Sequence, residues 1–356
     1  MARRTAPSLF ARAYERNLKA LTKLALGSGR RMASPIQRAA AERRKPPPGK
    51  GDWIGGMALG PGGARAYHLF RPAGLNLQPG EKLPLMVMLH GCGQSGRDFA
   101  ASTRMNALAL RHRFLVLYPE QDRLAHPQGC WNWYERRSGK ADAEAATLMA
   151  AVDQACMLYP VDRARVALAG LSAGASMAAL LATRYPLRFR AVVMHSGVAP
   201  GAATSSATAL GAMRGKNVPP MPATAVGKAM GAAAVFATLP PMLVLHGDAD
   251  TVVAPSNAVD SASVWATALG AKPGIARAVQ RGKRRTMRLT DFTRKGRTLV
   301  RLCEIAGLGH SWSGGASKQP FSDPEGPDAT RMAWAFACAQ FKAGAETRPM
   351  RRQGLG

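Results

Sequence analysis

From about residue 64 to residue 342, short and almost unbroken apolar runs alternate with longer stretches in which apolar positions recur every three or four residues. The runs ARAYHLF (64–70), LPLMVMLH (83–90), FLVLYP (114–119), RVALAG (165–170), AVVMHS (191–196) and PMLVLHG (241–247) predict strands. They are too short for core helices, and continuous apolarity predicts a strand covered on both faces. Helical patterns fall between them, near 98–112, 142–158, 173–185 and 255–269. Strand and helix in alternation predict the α/β class, a mostly parallel sheet with helices on both faces. Further strands are expected near 285–292 and 298–305 at the sheet edge, and a last helix near 327–342.

Two stretches break this rhythm. Residues 27–51 carry GSGRR and then ERRKPPPGKG, a mix that cannot build a core, so a folded body is expected from about Trp53. Residues 199–240 are rich in Ala, Gly, Met and Pro and lie between two expected strands, where an α/β enzyme can carry a lid. A helical insertion without a catalytic part is the other reading. The expected organisation is a basic N-terminal tail and linker over 1–50, a catalytic domain over 51–345 and a basic tail over 346–356. Phe10, Tyr14, Leu18, Leu21 and Leu24 recur at helical spacing, so part of the N-terminal tail is expected to be helical.

A chain of 356 residues with 47% hydrophobic residues can bury a sizeable core. Charge changes the picture in two places. Of a net +28, residues 1–50 contribute +11 and residues 275–301 contribute +9, which leaves an ordinary balance for the rest. Such segments are candidates for contact with an anionic surface. No aromatic–basic RNA signature and no zinc-finger spacing accompanies them, so no nucleic-acid partner is expected. No apolar run reaches the length of a membrane span. Charges interrupt every apolar stretch of the N-terminus, so it lacks the h-region of a secretory signal. The five cysteines, Cys92, Cys130, Cys156, Cys303 and Cys338, form no CxxC pair, and neither a structural zinc nor another metal is expected. A disulfide between Cys92 and Cys130 is one of the pairings they allow, and spacing does not select it.

The chemistry centres on Gly170-Leu171-Ser172-Ala173-Gly174, between an apolar strand and the helical pattern ASMAALLATRY. This strand–turn–helix context is that of a nucleophile elbow, in which a tight turn lifts the serine hydroxyl above the sheet. A serine hydroxyl needs a base to take its proton and an acid to orient that base. In chain order, Asp248 and Asp250 follow the PMLVLHG strand, and His310 follows in AGLGHSWSGG. Asp250 is the expected acid, because it lies deeper in the loop, while Asp248 is placed to cap the turn. His310 is the only histidine downstream of Asp250. The backbone amides of Ala173 and of Cys92, in the glycine-rich loop His90-Gly91-Cys92-Gly93-Gln94, are the expected oxyanion donors. Nothing local marks Cys92 itself as a thiolate nucleophile. Trp131, Trp133, Tyr134 and Trp312 cluster near these loops and are candidates for substrate contact.

The segments HGCGQSGRDFA, YPEQ, CWNWY, VDRARVALAGLSAGASMAALLATRYP, VVMHSGVA, LHGDADTVV and GHSWSGG, in this order, resemble the esterase/polyhydroxyalkanoate (PHB) depolymerase family. Feruloyl and acetylxylan esterases are relatives of that family. The resemblance covers roughly residues 65–340. It implies an α/β-hydrolase domain that works without a metal or other cofactor on poly- or oligo(3-hydroxyalkanoate) or similar short-chain esters. It also implies Ser172, Asp250 and His310 as a triad, Cys92 and Ala173 as oxyanion donors, and a disulfide joining Cys92 to Cys130. An extracellular setting goes with the resemblance, whereas the missing secretory signal leaves the cytoplasm open. A feruloyl- or acetylxylan-type esterase is the alternative within the same chemistry. A catalytically inactive basic surface-binding protein is the alternative outside it. The sequence predicts no oligomeric state.

Overall fold

The computed structural model describes residues 46–216 and 239–346. The expected N-terminal tail up to residue 45, residues 217–238 of the expected insertion, and residues 347–356 lie outside the described residues. Their predicted helix, lid and tails are therefore not described.

One eleven-stranded sheet organises the body. Its centre is a parallel block of β4 (Leu115–Pro119), β3 (Leu83–Leu89), β5 (Val161–Leu171), β6 (Ala191–His195), β7 (Met242–Gly247) and β11 (Arg297–Ile305), side by side in that order. Antiparallel strands flank it. On one side β2 (Gly63–Pro72) pairs with β4, and β1 (Gly51–Gly60) pairs with β2. On the other side β10 (Met287–Arg294) pairs with β11 and carries the short β8 (Lys272–Pro273) and β9 (Arg277–Val279). The two late strands thus extend the sheet as expected, but only β11 continues the parallel block.

β1 was not predicted, and its composition explains why. Its ten residues, GDWIGGMALG, alternate poorly and include four glycines. A Cβ on Gly56 would lie 2.2 Å from the Tyr67 ring, so the strand leaves room for its neighbour's aromatic side chain. The expected helix over 98–112 is two helices, α1 (Gly96–Thr103) and α2 (Met105–His112). Arg104 between them takes a left-handed backbone, φ 57°, and its amide closes α1 on the Ala100 carbonyl. Ser95 and Asp98 cap α1 reciprocally, each side chain meeting the other's amide.

The sheet is covered on both faces. α3 (Lys140–Leu158), α4 (Ala173–Arg184) and α6 (Ser256–Leu269) bury one core, which contains Val87, Leu168, Val192 and Val244. α1, α2 and α7 (Ala329–Glu346) bury the other, with Met86, Ala169, Val193 and Leu243. Successive residues of one strand enter opposite cores, as the period of two requires. A short helix, α5 (Ser206–Met213), occupies the start of the 199–240 stretch. Among the described residues no helix is long and apolar enough to cross a membrane.

A buried ion sits inside the first core. Glu144, on the apolar face of α3, accepts from Arg65 Nη2 at 3.0 Å, Gln121 Nε2 at 2.7 Å and the Asn132 amide at 2.7 Å. Arg65 is 4% and Glu144 is 1% exposed, so both charges have left water. Removing one partner strands the other. Glu144→Ala is expected to cost about 3–5 kcal/mol in urea unfolding. A loss below about 1 kcal/mol would mean that solvent reaches Arg65. The hub also explains the polar letters of YPEQ and CWNWY, since Gln121 and Asn132 hold strand-end loops to α3.

Candidate active site

The carboxyl ends of β3, β5, β7 and β11 lie at one edge of the parallel block, the edge at which open α/β sheets present their loops. Ser172 stands between β5 and α4 with φ 57° and ψ −124°, a conformation that L-residues avoid. Its amide donates to His195 O at 2.9 Å, and its carbonyl accepts from Ala175 and Ser176. The flanking glycines are obligatory here. A Cβ on Gly174 would lie 2.1 Å from Leu89 O, and one on Gly170 would lie 2.3 Å from the Gly174 backbone. Strand and helix therefore meet with no space for a side chain, and the turn stays strained.

The loop after β3 lies against this turn, since a Cβ on Gly91 would fall 3.6 Å from Ser172 Cβ. Gly91 and Gln94 brace the loop: the Gly91 amide donates to Gln94 Oε1 at 3.0 Å and the Gln94 amide to Gly91 O at 3.2 Å. Gly93 N donates to Gln128 O, and a disulfide ties Cys92 to Cys130. The amides of Cys92 and of Ala173, the first residue of α4, donate to no group among the described residues. Two bare N–H groups beside a strained serine are available to an oxyanion.

The loops after β7 and β11 are stitched together. Asp248 N donates to Ile305 O, Ala249 N to Leu308 O, and Gly307 N to Asp248 Oδ1 at 2.7 Å. Gly247 allows the close approach, because a Cβ there would lie 1.9 Å from Leu308 O. Asp248 thus binds a backbone amide across the two loops, while Asp250 reaches the histidine. His310 Nδ1 meets Asp250 Oδ2 at 2.8 Å. The other carboxylate oxygen accepts from the Val252 and Val253 amides, each at 2.9 Å. His246 Nε2 lies 3.2 Å from Oδ2 as well. Burial acts to raise the Asp250 pKa, but the hydrogen bonds of His246 and His310, the His310 charge and the Val253 amide outweigh it. The carboxyl is held far below the usual carboxylate range.

Ser172, Asp250 and His310 therefore stand on the ends of β5, β7 and β11. Asp250 and His310 are in contact, whereas no hydrogen bond joins Ser172 Oγ to His310 among the described residues. The aromatic candidates separate. Trp131 and Trp312 are fully buried and are core residues rather than substrate contacts. Trp131 donates its indole N–H to His90 O at 2.9 Å, and Trp312 stacks on His195 and donates to Thr330 Oγ1 at 3.0 Å. Each pins a site loop from beneath. Trp133 borders an open cavity with Ser176, Leu180 and Trp265, and half-buried Tyr134 lies beside His126. The sequence assigns no role to His246, Gln94 or Glu144, although the first two lie in segments that carry the family resemblance. The nearest signal was the position of His246 on the last apolar strand before the aspartate.

His195, at the end of β6, is fully buried, and its Nε2 accepts the Ser313 amide at 3.1 Å. Burial first, and then the neighbouring His246 and His310, push its pKa down to about 3. Because this lies below the unfolded value of ~6.5, the unfolded chain takes up a proton that the folded chain refuses. The stability is present in full above pH ~6.5 and is lost as pH falls from there towards 3. Chemical denaturation of wild type between pH 7 and pH 4.5 is expected to show this slope, and His195→Gln to flatten it by about one proton. Equal slopes would show that His195 accepts a proton in the fold.

A family model described as Esterase PHB depolymerase matches residues 65–283, more than half of the chain. Poly(3-hydroxyalkanoate) depolymerase C of Paucimonas lemoignei is 34% identical over 176 residues, which cover 49% of this chain and 42% of that protein. A probable acetylxylan esterase A of Aspergillus clavatus is 29% identical over 226 residues, covering 61% of this chain and 70% of that protein. The chain thus aligns with less than half the length of the depolymerase. Among solved structures, an acetyl xylan esterase from Aspergillus awamori superposes with a TM-score of 0.61 at 21% identity, over 74% of this chain and 94% of that one. That likeness is one of fold, the α/β-hydrolase fold.

Proposed function

The chain belongs to the esterase PHB depolymerase family, and from that membership we propose that it hydrolyses carboxylic esters through an acyl-enzyme formed on Ser172. His310 takes the serine proton as Oγ attacks the ester carbonyl. Asp250 holds the imidazole through Nδ1 and stabilises its charged form. The amides of Cys92 and Ala173 bind the oxyanion, the alcohol departs with the proton from His310, and water then releases the acid by the same route reversed. Residues 51–345 form the catalytic domain in this scheme. The observation that carries it is the 2.8 Å contact of His310 with a buried, ionised Asp250 at the sheet edge that bears Ser172.

The proposed substrates are oligo- or poly(3-hydroxyalkanoates) and related short-chain esters, with Trp133 and Tyr134 as the aromatic contacts. The depolymerase relative supports the polyester and the acetylxylan esterase relative supports an acetyl ester. A parallel assay on amorphous poly(3-hydroxybutyrate), acetylated xylan, methyl ferulate and a short p-nitrophenyl ester decides between them. Release of hydroxybutyrate oligomers at a higher kcat/KM than acetate or ferulate is expected. Preference for acetylated xylan or ferulate would move the assignment to the plant-wall esters, and turnover of none would remove it.

A further inference from the structure

The basic segment over 275–301 takes no part in that site. It forms β9, the turn after it, β10 and the start of β11. α7 packs mainly on β5, β6 and β7, so the sheet beyond them is left partly uncovered on that face. An open groove runs there. Leu243, Val279, Met287 and Leu289 line it from the sheet. Met332, Ala335, Phe336 and Ala339 line it from α7, at the spacing of a single helix face. Ala335 and Ala339 are exposed.

Among the described residues nine arginines line this groove against one acid, Asp328. Four of them are matched by carboxylates: Arg277 and Arg301 by Asp291, Arg285 by Asp323 and Glu325, and Arg331 by Asp328. The other five meet no carboxylate among the described residues. Arg104, Arg111 and Arg284 donate to the carbonyls of Gly314, Ala107 and Gly326. Arg281 and Arg297 are exposed and have no side-chain partner among the described residues. So many guanidinium groups around one trough repel each other, and a negative partner would relieve that repulsion.

We propose that this groove docks an acidic amphipathic α-helix of a partner protein. The sheet residues Leu243, Met287 and Leu289 are themselves buried, so an apolar helix face would pack on half-buried Val279 and Met332 and on exposed Ala335 and Ala339, while carboxylates on its flanks take the arginine forks in bidentate pairs. The helix would lie where a doubly wound sheet carries a covering layer. A nucleic-acid backbone would satisfy the arginines and leave the exposed alanines of α7 without a partner, and a flat lipid surface does not enter a trough.

The test uses the full chain and a fluorescein-labelled peptide of about eighteen residues, with leucines along one helix face and glutamates elsewhere. A scrambled peptide of the same composition is the control. The patterned peptide is expected to bind at least about tenfold tighter than the scrambled one and to weaken with salt. Arg281→Glu with Arg297→Glu removes charge at the rim, and Ala335→Trp with Ala339→Trp fills the trough. Each pair is expected to lower affinity about tenfold or more, with the melting temperature reporting that each variant folds. Equal binding of the scrambled peptide, or wild-type affinity in either folded double variant, overturns the proposal. Displacement of the peptide by a short DNA duplex at lower concentration than by unlabelled peptide assigns the groove to nucleic acid instead.

Discussion

Ser172→Ala is expected to lower turnover of a short-chain ester by about 10⁶-fold and to leave the protein folded. The size of the loss follows from how the parts act together. On the proposed mechanism there is no acyl-enzyme without Oγ, so His310 and Asp250 have nothing to activate, and only the bare amides and binding remain. The fold should not notice. Ser172 Oγ makes no hydrogen bond among the described residues, and alanine differs by that one atom in a turn whose geometry is imposed by Gly170 and Gly174. Stability within about 0.5 kcal/mol of wild type is expected. Mass spectrometry after exposure to a fluorophosphonate should find the adduct on the wild-type peptide containing Ser172 and none in the variant. A variant that retains a tenth of wild-type activity would end the assignment of Ser172 as nucleophile.

Asp250→Asn is expected to cost about 10⁴-fold in kcat, and the hydrogen bonds at the site say why the amide cannot adapt. Oδ1 accepts two backbone amides, from Val252 and Val253. An asparagine must present its carbonyl oxygen to those donors, so its NH₂ points at His310 Nδ1. That nitrogen then accepts, the ring proton moves to Nε2, and the base no longer has a lone pair for the serine hydroxyl. KM should change far less than kcat, because the carboxylate sits behind the imidazole rather than against the ester. Asp248→Asn is the matched control. Asp248 binds Gly307 N across the loops and is expected to affect stability more than chemistry. If the two substitutions exchanged their effects, the acid would have been assigned to the wrong aspartate.

The fold and the central residues of the site were largely legible in the chain, and the reasons are physical. Buried parallel strands must be apolar on both faces, so β3, β4, β5, β6 and β7 announced themselves as runs. The elbow needs small residues around one serine, which makes GLSAG readable. Chain order then left one histidine. What did not show was whatever depends on contact across the sheet. In β1, Gly56 leaves room for Tyr67 and Gly51 for Phe70, facts held in the neighbouring strand. The break at Arg104 has no Gly or Pro to mark it. Glu144 sits in an alanine-rich helix face, and only the fold brings Arg65, Gln121 and Asn132 to it. In sequence Trp131 and Trp312 are candidates for substrate contact because they flank the loops of the candidate site, yet flanking a loop is also how a residue comes to anchor it from below.

The stitching of the β7 and β11 loops has a consequence for the chain as it is being made. Ser172 and its elbow belong to the first half of the polypeptide, but His310 comes 138 positions later, beyond the last strand of the parallel block. At a synthesis rate of about 5–20 residues per second, roughly 7–30 s separate the two. During that interval β7 has no β11 beside it, and the loop that carries Asp250 lacks the backbone partners at Ile305 and Leu308. On the proposed mechanism, a ribosome-bound or prematurely terminated product that stops short of residue 310 is expected to expose the serine without its base and to be inert. In that scheme hydrolytic competence arrives in a single late step of biosynthesis, when the far edge of the sheet closes.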